Sequence, residues 1–430
     1  MPVAEYQGGP GSPDGGSPET RREHWLGRFS PAARARLVFI ALYVSVGAAA
    51  PYLVLFYRGI GFDFRTIGLI VSYGSLIALV AGPAWGLLSD RRNGSPVVLA
   101  AAAACAIAGV LALSQARDLV GVFAAIVLTG SGFAGLSPIV DARALEVSGP
   151  ERSGYGPLRA WGSISYIGGS FGTGAAVDAF GISAAFVILA IALAVTGIVG
   201  FTLRPPRRAV PGPGSAAAPL VVAPTAGSAW RLARTPPLGV FLFGAWLTFT
   251  GLTGLMSFYS LRFNDLGAPA TMIGIASALG AAAEVPVMLR FPWLAARVGG
   301  DRLVVIGASI FVVRAVVAAW TTEPWVLVAM AAVGGVGYAC FLIGGITYVS
   351  RHAPPELAAT AQSLFSGTAN GLGNVVAGYS GGVIAGLAGL PGLFTASAIT
   401  GVAATGILYL AVRERSGEAG APGLSPRPSA

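Results

Sequence analysis

The sequence predicts an all-α membrane protein with twelve transmembrane helices in two pseudo-symmetric six-helix bundles. Three observations predict it. The 430 residues are 54% hydrophobic and only 10% charged, against about a quarter charged in a soluble domain, and the mean hydropathy is +0.73. Apolar stretches of about 20 residues, long enough to cross a ~30 Å hydrocarbon core, recur twelve times. The two halves also repeat the same order of span, loop, span and basic turn at a fixed offset.

The elements follow in order. Residues 1–35 are polar and contain much Gly, Pro and Ser, which reads as a disordered cytoplasmic tail. They lack the charged-then-apolar pattern of a cleaved signal peptide. The first span, Leu37–Tyr57, follows Arg21, Arg22, Arg28, Arg34 and Arg36. Thr66–Leu88 is closed by Arg91 and Arg92, and Val97–Ser114 returns from that turn. Leu119–Val140 runs into Asp141 and Arg143, after which Leu158–Val177 and Ile182–Leu203 complete the first bundle, 36–203. The interval 204–237 is rich in Pro, Ala and Gly with arginines at both ends, and reads as a cytoplasmic linker. The second bundle, 238–412, holds Leu238–Leu261, Thr271–Phe291, Leu303–Trp320, Trp325–Ser350, Thr360–Leu387 and Pro391–Val412. Residues 413–430 read as a second disordered tail. Several spans are rich in Gly and Ala, which allows membrane helices to approach closely.

The net charge of +9 does not mark a nucleic-acid binder, because the arginines fall on alternate loops. The opposite loops hold only Arg58, Arg65, Arg117 and Arg262. The positive-inside rule therefore places both termini in the cytoplasm of a multi-pass protein of the cell (inner or plasma) membrane. Cys105 and Cys340 fall inside apolar spans, so no disulfide framework is expected.

The repeat is visible at Gly61, Ile67 and Gly68, which recur at Gly267, Ile273 and Gly274 with an offset of 206. Internal repeats with a site at their interface are typical of secondary transporters. After the second span comes Gly86-Leu87-Leu88-Ser89-Asp90-Arg91-Arg92-Asn93-Gly94. This loop resembles the cytoplasmic motif of the major facilitator superfamily, with Gly86, Leu88, Asp90, Arg91 and Gly94 matching. The resemblance implies gating by Gly86, Asp90 and Arg91, with Asp90 paired when the cytoplasmic side is shut. An Asp ending the fourth span and Arg159-Ala160-Trp161-Gly162-Ser163 opening the fifth resemble the lactose permease and phenylpropionate or nucleoside permease-like branch. The likeness covers about residues 37–412. It implies an acid–base pair of Asp141 with Arg159 and an aromatic, Tyr166, that stacks on a sugar ring. The histidine and glutamate that lactose-type symporters carry on their tenth helix are absent here, so β-galactoside specificity is not implied.

Charges inside apolar spans are costly and usually functional. Glu284 lies ~20 Å along the eighth span and Arg314 ~16 Å along the ninth, at 1.5 Å per residue. The expectation is a buried pair that opens and closes to exchange a proton. Asp141 is the second candidate for proton coupling. Asp141, Arg159, Tyr166, Arg314, Asn370 and Tyr338 are the candidate solute-binding residues. Tyr43, Tyr73, Trp246, Gln362 and Asn374 are further cavity candidates, Asn370 and Asn374 sharing a face through their spacing of four. Asp178 near a span end reads as interfacial. Gly168-Gly169-Ser170-Phe171-Gly172 fits a hydrolase pattern literally, but lies mid-span with no histidine available, and reads as helix packing.

These features imply a secondary transporter rather than an enzyme. The expected function is proton-coupled symport of a small polar or amphipathic organic solute, such as a sugar, nucleoside or aromatic acid, by alternating access. The alternative is a proton-antiporting exporter of a drug or metabolite. Partners are the solute, protons and the lipid bilayer. No nucleic acid, cofactor, metal or catalytic residue is expected, and the protein is expected to be a monomer.

Overall fold

The computed structural model describes residues 30–92, 94–147, 155–203, 238–354 and 357–418, together with 232, 234 and 236. The tail 1–29, most of the linker 204–237, residues 419–430 and the side chain of Asn370 lie outside the described residues. Where described, the chain is helical and without strands.

Local chemistry starts and stops the helices. Helix α1 (Pro31–Ala49) opens with Pro at its first turn and Ser30 as N-cap, whose side chain accepts from the Ala33 amide at 3.2 Å. This placement suits both residues, since proline has no amide to leave unpaired and serine satisfies one of the free donors. A break at Ala50–Tyr52 leads to α2 (Leu53–Gly59), which completes the first crossing. Helix α3 (Phe64–Arg91) is capped by Asp63, which accepts from the Thr66 amide at 2.9 Å. Hydrogen bonds from Thr66 hold the Asp63 carboxyl below the usual carboxylate range. Then follow α4 (Pro96–Gln115), α5 (Leu119–Val147), α6 (Tyr155–Phe180) and α7 (Ser183–Phe201).

The second half holds α8 (Leu238–Asp265), α9 (Ala270–Val298), α10 (Gly300–Trp320), α11 (Pro324–His352) and α12 (Ala358–Ser366). A π-helical turn, Gly367–Leu372, joins α12 to α13 (Gly373–Glu418). Helix α13 folds back on itself at Gly389, whose φ of 69° and ψ of −179° reverse the chain. Glycine tolerates that conformation because it lacks a Cβ.

Ten helical segments among the described residues are long and apolar enough to span a bilayer. The last of them is the folded α13, which makes two crossings. Helix α6 adds the remaining crossing; it is less apolar because Arg159, Asp178 and a Gly/Ser-rich run lie within it. The twelve crossings match the expected spans. Three details differ from the sequence expectation: the first span is two helices, the eleventh is interrupted by the π turn, and the expected disordered tails are helical where described, α1 starting at Pro31 and α13 running to Glu418. Hydropathy follows side chains and is blind to such backbone changes.

Helix α1 packs on α6 and α7, α3 on α5, and α4 on α5 and α7. In the second half α8 and α10 pack on α13, and α9 and α10 on α11. Small residues sit between the helices, as in membrane proteins generally: a methyl on Gly109 would run into Thr129, and one on Gly307 would lie 2.6 Å from the Gly337 carbonyl. Large apolar side chains such as Val80, Ile198 and Trp320 are exposed. With an even number of crossings in each half, both ends of the helical domain and both linker ends share one face, here the near face. The opposite face is the far face.

Candidate functional site

The two halves meet along α6 with α9 and α3 with α13. At the far face the backbones touch. A methyl on Gly68 would lie 2.5 Å from the Gly378 carbonyl, and one on Gly274 would lie 2.5 Å from the Ser170 carbonyl. Ser72 donates to the Val375 carbonyl at 2.6 Å. Tyr52, in the break between α1 and α2, donates to the Ser170 carbonyl of α6 at 2.7 Å, and its hydroxyl lies 2.9 Å from where a methyl on Gly274 of α9 would fall. Asp178, at the end of α6, accepts from the Ala270 amide at 2.7 Å and the Thr271 amide at 2.8 Å, and also from the Thr271 hydroxyl.

Among the described residues, the hydrogen bonds, ring pairs and close backbone approaches between halves all lie on this side. They reach inward as far as Tyr166 against Ser277 and Leu79 against Gly371. Nearer the termini, Pro83 and Leu87 on α3, Trp161 and Ile164 on α6, and Met288 and Leu289 on α9 are exposed.

Glu284 lies where the contact ends. It is seven residues beyond Ser277 on α9, two turns toward the near face on the same side of the helix. Helices α9 and α11 touch where Gly335 faces Gly280, so tightly that a methyl on Gly335 would overlap the Gly280 carbonyl. One turn further along each helix lie Glu284 and Tyr338. Both Tyr166 and Tyr338 lie within electrostatic reach of the Glu284 carboxylate. The geometry thus gathers a half-buried carboxylate and two phenols, one from each half, at the inner limit of the closed region. No salt bridge to Glu284 occurs among the described residues.

The structure corrects both expected ion pairs. Arg314 does not meet Glu284. It is 4% exposed, lies over the Tyr259 ring at 4.3 Å from its centroid and rests against Gly334, while its Nε has no hydrogen-bond partner among the described residues. Helix α10 thus turns the guanidinium into the second half, whereas α9 turns Glu284 toward α6 and α11. Arg159 does not meet Asp141 either. Its guanidinium lies over the Tyr43 ring at 4.7 Å, and Asp141 instead accepts from Tyr155 at 3.2 Å and Ser137 at 3.4 Å. In each case an aromatic face replaces the carboxylate, a cation–π contact that residue spacing does not reveal. Tyr166, Tyr338 and Glu284 are brought together, whereas Asp141 and Arg159 sit nearer the near face and Arg314 sits apart.

Asn374 accepts from Thr253 at 2.7 Å, tying α13 to α8. The π turn interrupts the α spacing by which Asn370 and Asn374 were expected to share a face. Gln362 ties α12 to α11 through the Ile346 carbonyl and the Ser350 hydroxyl, both at 2.8 Å. Tyr73 packs on Phe123, and Trp246 on Phe243. Ser170 is fully buried in the α1–α6 contact, in keeping with helix packing.

At the near face Asp90 and Arg91 are exposed, with no ion pair among the described residues, and a methyl on Gly86 would meet nothing within 4 Å. Sequence reasoning passed over what holds this turn. Gly94, with φ of 62°, lies directly on the Arg143 guanidinium, which is almost fully buried and bonded to Glu146 at 2.7 Å. The signal available was an Arg and a Glu three apart at the end of the fourth span, which place both on one face.

Comparison with known proteins agrees with this architecture. A profile of the MFS_1 like family matches residues 33–396. A maltose permease of Geobacillus stearothermophilus is 27% identical over 80% of this chain and 86% of its own. A putative sugar efflux transporter of Deinococcus radiodurans is 28% identical over 88% of this chain and 97% of its own. A probable 3-phenylpropionic acid transporter of Escherichia coli is 27% identical over 78% and 86%. The solved nucleoside transporter NupG superposes with a TM-score of 0.74 at 18% identity, covering 90% of this chain and 99% of that one, which shows a shared fold. The chain belongs to the MFS_1-like family of the major facilitator superfamily, and is a multi-pass membrane transporter, not an enzyme.

Proposed function

We propose that this carrier is a proton-coupled symporter of a small polar or amphipathic organic solute, working by alternating access as a monomer. The observation that carries the reading is the cluster of Glu284, Tyr166 and Tyr338 where the halves cease to touch. Secondary carriers place their sites at this level, between repeats that rock about it. Phenol faces stack on a sugar or aromatic ring, and hydroxyls bond the carboxylate. The carboxyl group is also the cluster's one acid able to take a proton from water and return it. Since Arg314 lies elsewhere, Glu284 couples by alternating between proton and solute rather than by breaking an arginine pair. Asp141, Tyr155 and Arg159 stand along the entry route, and Asp90 with Arg91 closes the near side in the opposite conformation. The arginine distribution argues that the near face is cytoplasmic, so that the chain adopts the inward-facing state in the inner or plasma membrane, with tails before Pro31 and after Glu418 and 204–237 as linker. The relatives' names favour sugars, nucleosides or aromatic acids as solute.

The relative named for sugar efflux favours a second reading, proton-driven export of a metabolite or drug. One experiment separates the two. Purified protein in liposomes is given an acid exterior and a mixed pool of sugars, nucleosides and aromatic acids, and accumulated solutes are identified by mass spectrometry. Symport predicts accumulation that Glu284→Gln abolishes while solute exchange persists. Uphill accumulation in Glu284→Gln removes this acid from coupling, and proton-driven expulsion of preloaded compounds establishes export.

A further inference from the structure

The two halves begin their repeated helices differently. At the start of α3, Asp63 caps its own helix through Thr66. The repeat offset of 206 puts Pro269 at the matching position before α9. Proline has no side-chain acceptor, and α9 has no cap of its own. Its first amides, on Ala270 and Thr271, are satisfied by Asp178 from the other half. Unpaired amides at a helix start need an acceptor, and a carboxylate there also interacts favourably with the helix dipole.

We propose that Asp178 is the removable latch of the far face, a helix cap supplied across the two halves and released each time that face opens. The proposal rests on the alternating-access reading above. When the far face parts, the amides of Ala270 and Thr271 lose their acceptor, because nothing at 269 replaces it. The closed state alone holds the capped helix. Asp178 is solvent-exposed, so water can take over both sides of the bond during the change, which makes the contact reversible. Its position on α6, twelve residues beyond Tyr166, puts it ~18 Å from the candidate site along a single rigid helix. A shift of α6 at the solute therefore reaches the latch without an intermediary.

The test places spin labels at Val120 and Leu387, exposed far-face positions in opposite halves, in a chain carrying Cys105→Ala and Cys340→Ala. Double electron–electron resonance then reads the distance distribution in nanodiscs. Asp178→Ala is expected to raise the ratio of long to short distances roughly fivefold, the effect of losing one helix cap. Should that variant not yield folded protein, Pro269→Asp decides in its place, since it gives α9 a local cap and makes the latch redundant; the same shift is expected. Gly274→Val is the control, because its Cβ falls 2.5 Å from the Ser170 carbonyl and forces the far face apart. An unchanged distribution in the deciding variant while Gly274→Val lengthens it overturns the latch and leaves rocking intact. Unchanged distances in both overturn rocking and the latch together.

Discussion

At the far face the halves are joined by backbone contact, one hydroxyl-to-carbonyl bond and one carboxylate across the seam. At the near face α3, α6 and α9 carry proline and large apolar side chains, and Asp90 and Arg91 are unpaired among the described residues. The far face is closed by small residues, so its closure depends on shape. The near face has Asp90 and Arg91 exposed in the loop proposed to gate it, and on that proposal its closure depends on electrostatics. A carrier built this way responds differently to damage at its two ends, and four substitutions test that difference.

The largest effect is expected at Gly68. A leucine there would drive side chain into the Gly378 and Gly382 backbone, so the far face cannot close. Transport should fall by about two orders of magnitude, as overpacking with no room to relax demands, while the amount of protein in the membrane holds. Solute flux in liposomes, with labelling of an outer thiol at Val120→Cys, checks both.

Next is Gly94→Ala at the near face. The positive φ costs ~1–2 kcal/mol, and the added methyl displaces Arg143 from beneath the turn. The expected result is a drop of several degrees in the thermal midpoint in detergent, read by the fluorescence of the native tryptophans, with flux reduced less than in the Gly68 variant.

Tyr52→Phe removes a hydrogen bond within the first half, to the Ser170 carbonyl, together with the hydroxyl that rests beside Gly274 across the seam. The bond contributes about 1 kcal/mol net in either conformation, so only the lost contact with Gly274 bears on closure, and the far-open fraction should rise no more than about twofold, measured by the same thiol labelling. Phe conserves the ring packing, and an unchanged fraction would show that glycine contact alone closes this end.

The smallest effect is expected from Asp90→Asn. The side chain is exposed and without an ion pair in the conformation described, so stability should stay within about 0.5 kcal/mol of the parent and the thermal midpoint should barely move. The turnover of transport should nonetheless slow, because the near side closes without its charge. Equal turnover would remove Asp90 from gating.

The crossings were legible because length and apolarity are properties of the sequence itself; eleven of the twelve needed little more. The repeat was legible too, and the structure gives it a physical meaning. Gly61 and Gly267 both hold positive φ, while Gly68 and Gly274 are both seam contacts. Glu284, Tyr166 and Tyr338 could be named individually from burial cost and resemblance. Their neighbours could not, since pairing depends on which way each helix face is turned. Glu284 and Arg314 had suitable depth but opposite directions. Arg159 and Arg314 found tyrosine rings, and no charge pattern announces a ring as the partner. Asp178 read as an ordinary interfacial acid because its proposed role lies in the absence of a cap at Pro269, 91 residues away.

The seclusion of Arg314 has an electrical consequence. Its permanent charge is fixed within the second half, away from any carboxylate among the described residues. Moving one elementary charge across the full membrane potential is worth ~2.3 kcal/mol per 100 mV. Under the proposed rocking, any displacement of Arg314 along the membrane normal would carry that charge through part of the field and give the cycle a voltage-dependent step even with a neutral solute.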